Sequence, residues 1–125
     1  MRLLIDTTVL VDFLRGHPHA VHYMRDLELK PFVSAMTVAE LYGGVREGVE
    51  RQNLDRVLTG YEHVPIDDMV AEKGGLFFRK FSRSHGVGLA DALIAACADV
   101  VSARLVTHNR RHFPMLAEVL VPYGD

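Results

Sequence analysis

The sequence predicts an α/β protein, a parallel sheet of about four to five short strands with helices on both of its faces. Short apolar runs such as residues 3–5 lack polar alternation, which is typical of strands that are buried on both sides. Each run leads into a segment whose apolar side chains recur at helical spacing. Strands that alternate with helices in this way favour parallel pairing, because each helix must cross the sheet before the next strand begins.

Length and composition fit a single domain over residues 1–125. With 49% hydrophobic and 24% charged residues, a chain of 125 residues can close one core. The formal net charge of −2 gives no overall basic bias, so contact with nucleic acid would require a local basic patch.

Cysteine usage and the N-terminal sequence predict a cytoplasmic protein with no membrane association. The single cysteine, Cys97, excludes an intramolecular disulfide and lies in an apolar helical run, so we expect a buried, inert thiol in a reducing compartment. The apolar stretch between Arg2 and Asp6 is too short for a signal peptide. No uncharged run reaches the roughly 18 residues that a membrane span requires.

The first strand, residues 3–5, ends at Asp6, and the spacing of the next apolar residues predicts a helix that ends at Gly16. Pro18 suits the first turn of a second helix, predicted to run to about residue 29. Three histidines lie near the start of that helix: His17, His19 and His22. They are either zinc ligands or solvated surface side chains.

A second strand, residues 32–34, precedes a helix that opens near Thr37. Thr37 and Glu40 have the spacing of a capping box, in which each side chain bonds the backbone of the other. This interpretation would explain both residues without a catalytic or metal-binding role. A further helix is predicted over about residues 50–58.

A long helix over about residues 67–84 follows Val64 and ends in basic side chains. Cations near a helix C-terminus commonly interact with the negative end of the helix dipole. These side chains therefore either contact phosphate or are solvated charges. Gly86 and Gly88 bracket the turn that follows. The basic side chains are Arg79, Lys80, Arg83 and His85.

The next helix begins at Leu89, is built of small residues and carries one charge, Asp91, in its first turn. Asp91 is either a helix-dipole acid or a metal ligand that points into a crevice, because charged groups are rarely buried unpaired. Strands over residues 104–107 and 118–121 complete the predicted sheet.

Three acids stand at or just past a strand-to-helix junction or a helix start: Asp6, Glu40 and Asp91. In open parallel sheets such positions can converge on one crevice at the carboxyl ends of the strands. Clustered carboxylates repel one another unless a cation neutralises them, and hard oxygen ligands suit Mg²⁺ or Mn²⁺. Metal-assisted hydrolysis of nucleic-acid phosphodiesters is therefore a candidate reaction.

Four segments resemble, in order, the four blocks of a PIN domain, and their spacing and the short chain resemble VapC toxins of toxin-antitoxin pairs. The resemblance implies a three-layer PIN-like fold and a metal-dependent endoribonuclease that is held inactive by a VapB-type antitoxin. The segments are Ile5-Asp6-Thr7-Thr8-Val9-Leu10, Thr37-Val38-Ala39-Glu40-Leu41 with Gly44, Leu89-Ala90-Asp91-Ala92-Leu93-Ile94-Ala95-Ala96, and Leu105-Val106-Thr107-His108-Asn109.

The resemblance also assigns roles to individual residues. It makes Asp6, Glu40 and Asp91 ligands of one or two ions, and Thr7 and Thr107 small hydroxyl residues near the metal. The last block departs from the family pattern, because Asn109 stands where many relatives have aspartate and His112 stands where an acid often follows. Asn109 is predicted to offer a carbonyl oxygen to the metal or to bound water without negative charge, so a second ion should bind weakly at best.

Partners follow from the same resemblance. We expect an RNA substrate, a VapB-type antitoxin and a homodimer formed by apolar helix faces over residues 38–45 and 49–58. The rival hypothesis is a catalytically silent PIN-like module that binds RNA or protein, in which Asn109 reflects lost chemistry. The candidate contacts to RNA phosphates are Arg79, Lys80, Arg83, Arg110 and Arg111.

Overall fold

The computed structural model describes residues 1–124, which form a three-layer α/β sandwich around a five-stranded parallel sheet. Helices cover both faces of the sheet, as the sequence predicts. The strands are β1 Leu3–Ile5, β2 Phe32–Ser34, β3 Glu62–Val64, β4 Arg104–Val106 and β5 Val119–Leu120. The helices are α1 Thr7–Leu14, α2 Pro18–Arg25, α3 Ala35–Gly44, α4 Val49–Leu58, α5 Asp68–His85 and α6 Leu89–Val100, with a 3₁₀ turn at Arg110–His112.

Strand β1 lies at the centre of the sheet, whose order is β3-β2-β1-β4-β5. The chain first adds β2 and β3 on one side of β1 and then crosses to place β4 and β5 on the other side. The strand order therefore reverses at β1, and the carboxyl ends of β1 and β4 form the topological switch point at which such sheets bind ligands. Asp6 directly follows β1, and Thr107 directly follows β4.

Successive residues of β1 point to opposite faces and nucleate two separate cores. Leu4 belongs to the cluster beneath α5 and α6, and Ile5 belongs to the cluster beneath α1, α3 and α4. Both side chains are 0% exposed. This burial on both faces explains why the strand sequence shows no polar alternation.

Helices α5 and α6 pack closely because a glycine stands at their contact. A Cβ atom on Gly74 would lie 2.6 Å from Cδ2 and 3.3 Å from Cα of Leu93, so a larger residue at position 74 would force Leu93 to shift. Asp67 caps α5 by accepting from the amide of Val70, and Gly86 ends the helix with a positive φ of 64°. The turn at Gly86 then leads into α6, whose first turn carries Asp91.

Three sequence predictions differ from the structure. Helix α2 ends at Arg25 rather than near residue 29; beyond it Leu27 still packs against the core, whereas Leu29 is exposed. The N-cap of α3 is Ser34, so the capping box between Thr37 and Glu40 is wrong. The apolar helix faces over residues 38–45 and 49–58, predicted to be exposed for dimer formation, mostly pack against the core. The large apolar side chains that stay exposed there are Tyr42 and Val49.

None of the helices within residues 1–124 combines the length and hydropathy that crossing a bilayer requires.

Candidate active site

Asp6 is the most buried charged residue of the site, with 3% of its surface exposed. It is the N-cap of α1, and its Oδ1 accepts a hydrogen bond from the amide of Thr7 at 2.8 Å. Its Oδ2 accepts from the hydroxyl of Thr107 at 2.6 Å. Burial raises the pKa of Asp6 above its ordinary value, the bonds from Thr107 and Thr7 oppose that shift, and the charge of Asp91 adds to it.

A chain of hydroxyl groups connects α1 to α3 and fixes Glu40. The Thr7 hydroxyl donates to Oε1 of Glu40 at 2.8 Å and lies 2.9 Å from the hydroxyl of Thr37. Because Thr7 has one hydroxyl proton and gives it to Glu40, Thr37 must be the donor in the second bond. Glu40 therefore faces the end of β1 through Thr7, which is the residue next to Asp6.

Asp91 enters the same region from the first turn of α6. Its Oδ2 lies 3.3 Å from Nδ1 of His112, and its side chain is 30% exposed. Burial raises the pKa of Asp91, His112 opposes the shift, and the charge of Glu40 adds to it. The pKa of Asp91 is thus sensitive to the charge of Glu40, and the pKa of Asp6 to the charge of Asp91.

The chemistry of this donor set fits a hard divalent cation. The direct partners of Asp6 and Glu40 are hydroxyl and amide donors, and Asp91 pairs with an imidazole, so repulsion among the carboxylates is left for a cation to neutralise. In residues 1–124, no three His, Cys, Asp or Glu side chains stand close enough together to enclose an ion. Each acid is instead held by its own partners: Asp6 by Thr7 and Thr107, Glu40 by Thr7, and Asp91 by His112.

Asn109 does not reach the acids through its side chain, which is exposed. Its backbone amide instead donates to the hydroxyl of Thr107 at 3.0 Å, which orients that hydroxyl toward Asp6. Thr107 is 0% exposed and so joins the two neighbouring strand ends from within the core. The main-chain contact of Asn109 and the pairing of His112 with Asp91 depend on the path of the 3₁₀ turn and give no signal in the sequence.

The predicted basic residues occupy two separate elements. Arg110 and Arg111 lie in the 3₁₀ turn between Asn109 and His112, and both are exposed. The other cations project from the C-terminal half of α5, which precedes the turn into α6, and all three are exposed: Arg79, Lys80 and Arg83.

The sequence predicts only some of the hydroxyl residues of the site. Thr7 and Thr107 both bond Asp6, and their place near a metal stays a prediction from the resemblance; the sequence did not assign Thr37 to the site. Thr37 and Glu40 are three residues apart, which places both side chains on one face of α3. This spacing fits a helix cap, but it equally fits two residues of one site.

A groove lies next to Glu40 between α1, α3 and α4. Its volume is about 570 Å³, and its lining combines an apolar floor with charged side chains at the rim. Glu40 is one of the lining residues, so the groove and the acidic site are continuous. The apolar part of the lining is Val11, Leu14, Leu41, Val45 and Leu54.

A parallel sheet whose central strand ends in a buried aspartate, with two further acids at the same end, is the arrangement expected of a PIN domain. The PIN domain family model matches residues 3–119. Ribonuclease VapC19 of Mycobacterium tuberculosis is 39% identical over 126 residues, which cover 96% of this chain and 98% of that protein. Ribonuclease VapC10 of the same organism is 36% identical over 127 residues, covering 98% and 93%.

The chain therefore belongs to the PIN-domain family and, within it, to the VapC-type ribonucleases. A toxin-antitoxin complex from Klebsiella pneumoniae contains a chain of the same fold, with a TM-score of 0.84. That chain is 24% identical, and the match covers 97% of this chain and 98% of that one. The three-layer PIN-like fold predicted from the sequence is confirmed. Dependence on a divalent metal is general among PIN-domain ribonucleases of the VapC type.

Proposed function

We propose that Asp6, Glu40 and Asp91 form the catalytic centre of this ribonuclease and hold Mg²⁺ or Mn²⁺ while RNA phosphodiester bonds are hydrolysed. The observation that carries the proposal is the link between the acids: Thr7 bonds Glu40 with its hydroxyl and Asp6 with its amide. Side chains from α1 and α3 are thereby fixed at the same strand ends. Such ordering of ligands lowers the entropy cost of binding an ion.

An ion held by these residues would supply an activated water and would stabilise the negative charge of an in-line phosphodiester displacement. Hydrogen bonds within the chain orient the carboxylates of Asp6 and Glu40. Each oxygen of Asp6 accepts one protein hydrogen bond, and an ionised carboxylate has about four lone-pair sites, so lone pairs remain free for a cation. Thr7 holds one oxygen of Glu40, and the second oxygen can bind the cation or accept a proton from water.

RNA phosphates are proposed to contact the exposed cations beside the acids. Arg110 and Arg111 lie in the same 3₁₀ turn as His112, and α5 contributes a second basic group at its C-terminal end. A chain with a formal net charge of −2 needs such local clusters to bind a polyanion. The α5 group is Arg79, Lys80 and Arg83.

The groove beside Glu40 is the proposed docking site of a VapB-type antitoxin. An apolar helix of the antitoxin tail would lie on Leu14 and Val45, and an arginine of that tail would reach the carboxylates and exclude the metal. We further propose a homodimer. Because α3 and α4 bury most of their apolar side chains, the stronger candidate surface is on α5, where Met69 and Leu76 are seven residues apart and 63% and 47% exposed.

The test of this function uses the purified chain without antitoxin. Total cellular RNA is incubated with Mg²⁺ or Mn²⁺, or with a chelator, and the new RNA ends are mapped. Cleavage that requires the metal and disappears in Asp91→Asn supports the proposed centre. An ion that binds without any RNA cleavage would favour the catalytically silent module instead.

A further inference from the structure

Thr37 places a fully buried hydroxyl group within reach of one neighbour. Thr37 is 0% exposed, and its Oγ1 lies 2.9 Å from Oγ1 of Thr7. Within residues 1–124, Thr7 is the only residue that forms a hydrogen bond with this hydroxyl. A buried hydroxyl proton without an acceptor costs free energy, because the proton has left water and gained no replacement partner. Thr37 therefore donates its proton to Thr7.

The donation from Thr37 fixes the direction in which Thr7 gives its own proton. A hydroxyl carries a single proton, so Thr7 accepts from Thr37 and donates to Oε1 of Glu40 at 2.8 Å. Aligned hydrogen bonds of this kind polarise and strengthen one another. We call these three side chains, Thr37, Thr7 and Glu40, the hydroxyl relay.

Glu40 depends on the hydroxyl relay for its orientation. Glu40 is exposed, and the bond from Thr7 is the only hydrogen bond that its carboxylate forms within residues 1–124. Thr7 is itself only partly buried, and rotation of its χ1 angle to another staggered position would turn the hydroxyl away from Glu40. The bond to Thr37, which is anchored in the core, therefore holds Thr7 in the rotamer that reaches Glu40.

We propose that Thr37 is a positioning residue for RNA hydrolysis, which acts through Thr7 to orient the carboxylate of Glu40. The inference rests on the proposed function, because Glu40 belongs to the catalytic centre only there. Thr37 forms no hydrogen bond with Glu40 itself within residues 1–124, so its whole effect must pass through the Thr7 hydroxyl. The hydroxyl relay leaves the second oxygen of Glu40, Oε2, without a protein partner in the same part of the chain.

The kinetic test measures kcat and KM of the antitoxin-free chain with a synthetic RNA that carries one mapped cleavage site. Thr37→Val removes the hydroxyl and nearly keeps the side-chain shape. It should lower kcat about tenfold, the lower end of what losing a group that orients an active-site residue costs, and should leave KM nearly unchanged. Thr37→Ser keeps the hydroxyl and should restore most of the lost rate.

Ser34→Ala is the matched control, because Ser34 is another fully buried hydroxyl residue at the start of the same helix. Its Oγ accepts from the amide of Met36 and lies 3.3 Å from Sγ of Cys97, and it contacts no member of the hydroxyl relay. Ser34→Ala should lower the free energy of unfolding and keep the wild-type kcat. A loss of kcat in Ser34→Ala as large as that in Thr37→Val would overturn the proposal, since any damage to α3 would then suffice.

A double-mutant cycle with Thr7→Val tests whether Thr37 acts through Thr7. Thr7→Val interrupts the hydroxyl relay at its centre, so adding Thr37→Val to it should lower kcat no further. If Thr37→Val instead lowers kcat by the same factor in the Thr7→Val chain as in the wild-type chain, Thr37 acts by another route and the proposal is wrong.

Nuclear magnetic resonance of the chelator-treated chain gives a readout that requires neither metal nor activity. Three-bond couplings across χ1 of ¹³C-labelled Glu40 report how its rotamers are populated. One dominant rotamer is expected in the wild-type chain and in Ser34→Ala, and rotamer averaging is expected in Thr37→Val. Unchanged couplings in a folded Thr37→Val would overturn the proposal. If Thr37→Val does not fold, Thr7→Val provides the same comparison, because it also separates Glu40 from Thr37.

The two levels of proposal fail in different ways. If Glu40→Gln abolishes cleavage while Thr37→Val leaves kcat and the Glu40 couplings unchanged, only the role of Thr37 is wrong. If Glu40→Gln cleaves RNA as fast as the wild-type chain, or the wild-type chain cleaves no RNA, the proposed catalytic centre is wrong and the role of Thr37 falls with it.

Discussion

The hydroxyl of Thr107 donates to Oδ2 of Asp6 at 2.6 Å, although 101 positions separate the two residues in the sequence. The bond joins the ends of β1 and β4, the two strands between which the sheet reverses its order. It is also the strongest of the hydrogen bonds that oppose the pKa increase that burial causes at Asp6. The same contact therefore joins the two strand ends and favours the ionised form of a buried carboxylate.

Loss of the Thr107 hydroxyl is expected to destabilise the protein. Thr107→Val leaves Oδ2 of Asp6 without its donor in a buried setting, which should lower the free energy of unfolding by roughly 2–3 kcal/mol. Thr107→Ser keeps the hydroxyl and should lose clearly less. Urea denaturation of the chelator-treated proteins measures both, and equal stability of Thr107→Val and the wild-type chain would contradict the argument.

Asp91→Asn should abolish RNA cleavage without weakening the metal-free fold. The substitution removes a carboxylate that Asp6 and Glu40 repel, so the free energy of unfolding should stay the same or rise by up to about 1 kcal/mol. The matched control is Asp99→Asn on the same helix, whose carboxylate pairs with Lys73 on the surface. That control should keep cleavage and change stability by no more than about 1 kcal/mol. Unfolding of Asp91→Asn would show instead that the acid is structural.

The neighbouring glycines of α5 should respond in opposite directions to alanine. Gly74→Ala places a methyl group 2.6 Å from Cδ2 of Leu93 and should cost about 1–3 kcal/mol, although part of this is offset by better helix propensity. A Cβ atom on Gly75 meets nothing within 4 Å, so Gly75→Ala should stabilise by up to about 1 kcal/mol. Thermal or urea denaturation compares them, and two equally stabilising substitutions would mean that the contact of α5 with α6 tolerates a wider spacing.

Stability should fall above pH 10 because of buried tyrosine. Burial raises the pKa of Tyr61 to about 12, against about 10 in an unfolded chain. The folded state thus holds a proton that the unfolded state releases first, so this contribution is complete below pH 10 and is lost as the pH rises toward 12.

Tyr61→Phe should therefore flatten the loss of stability between about pH 10 and 12 in urea titrations. Tyr123→Phe is the informative comparison, because the Tyr123 hydroxyl donates to Oδ2 of Asp12 at 3.0 Å. That variant should be less stable than the wild-type chain at pH 8 by about 1 kcal/mol. A pH profile of Tyr61→Phe that parallels the wild-type profile would remove Tyr61 as the cause.

A charge in the groove between α1, α3 and α4 should release the ribonuclease from its antitoxin. Leu14→Asp puts a carboxylate on the apolar lining and should weaken antitoxin binding at least tenfold while RNA cleavage by the free chain persists. Leu29→Asp is the control, since Leu29 is 56% exposed and lies outside the lining. Binding is measured by calorimetry and folding by circular dichroism; unchanged affinity of a folded Leu14→Asp would place the antitoxin elsewhere.

The sequence by itself determined the order of strands and helices and the positions of the acids. Both depend on local signals: the spacing of apolar residues, the breaks at Gly16 and Pro18, and the place of a carboxylate after a buried strand. These signals predict a parallel α/β sheet, because alternating strands and helices leave few topologies open. The PIN-like fold, which is confirmed, was implied by the resemblance of four segments to a PIN domain. The roles of Asp6, Glu40 and Asp91 as metal ligands stay predictions.

Only the tertiary structure decided which side chains meet at the strand ends. The pairing of Asp91 with His112, the donation from Thr37 to Thr7 and the outward side chain of Asn109 all depend on the path of segments far apart in the chain. Burial of the apolar faces of α3 and α4 was decided in the same way, because amphipathic spacing shows which face is apolar but not what covers it. A short sequence motif fixes the direction of a helix, whereas a 3 Å contact depends on the rotation and packing of two elements together.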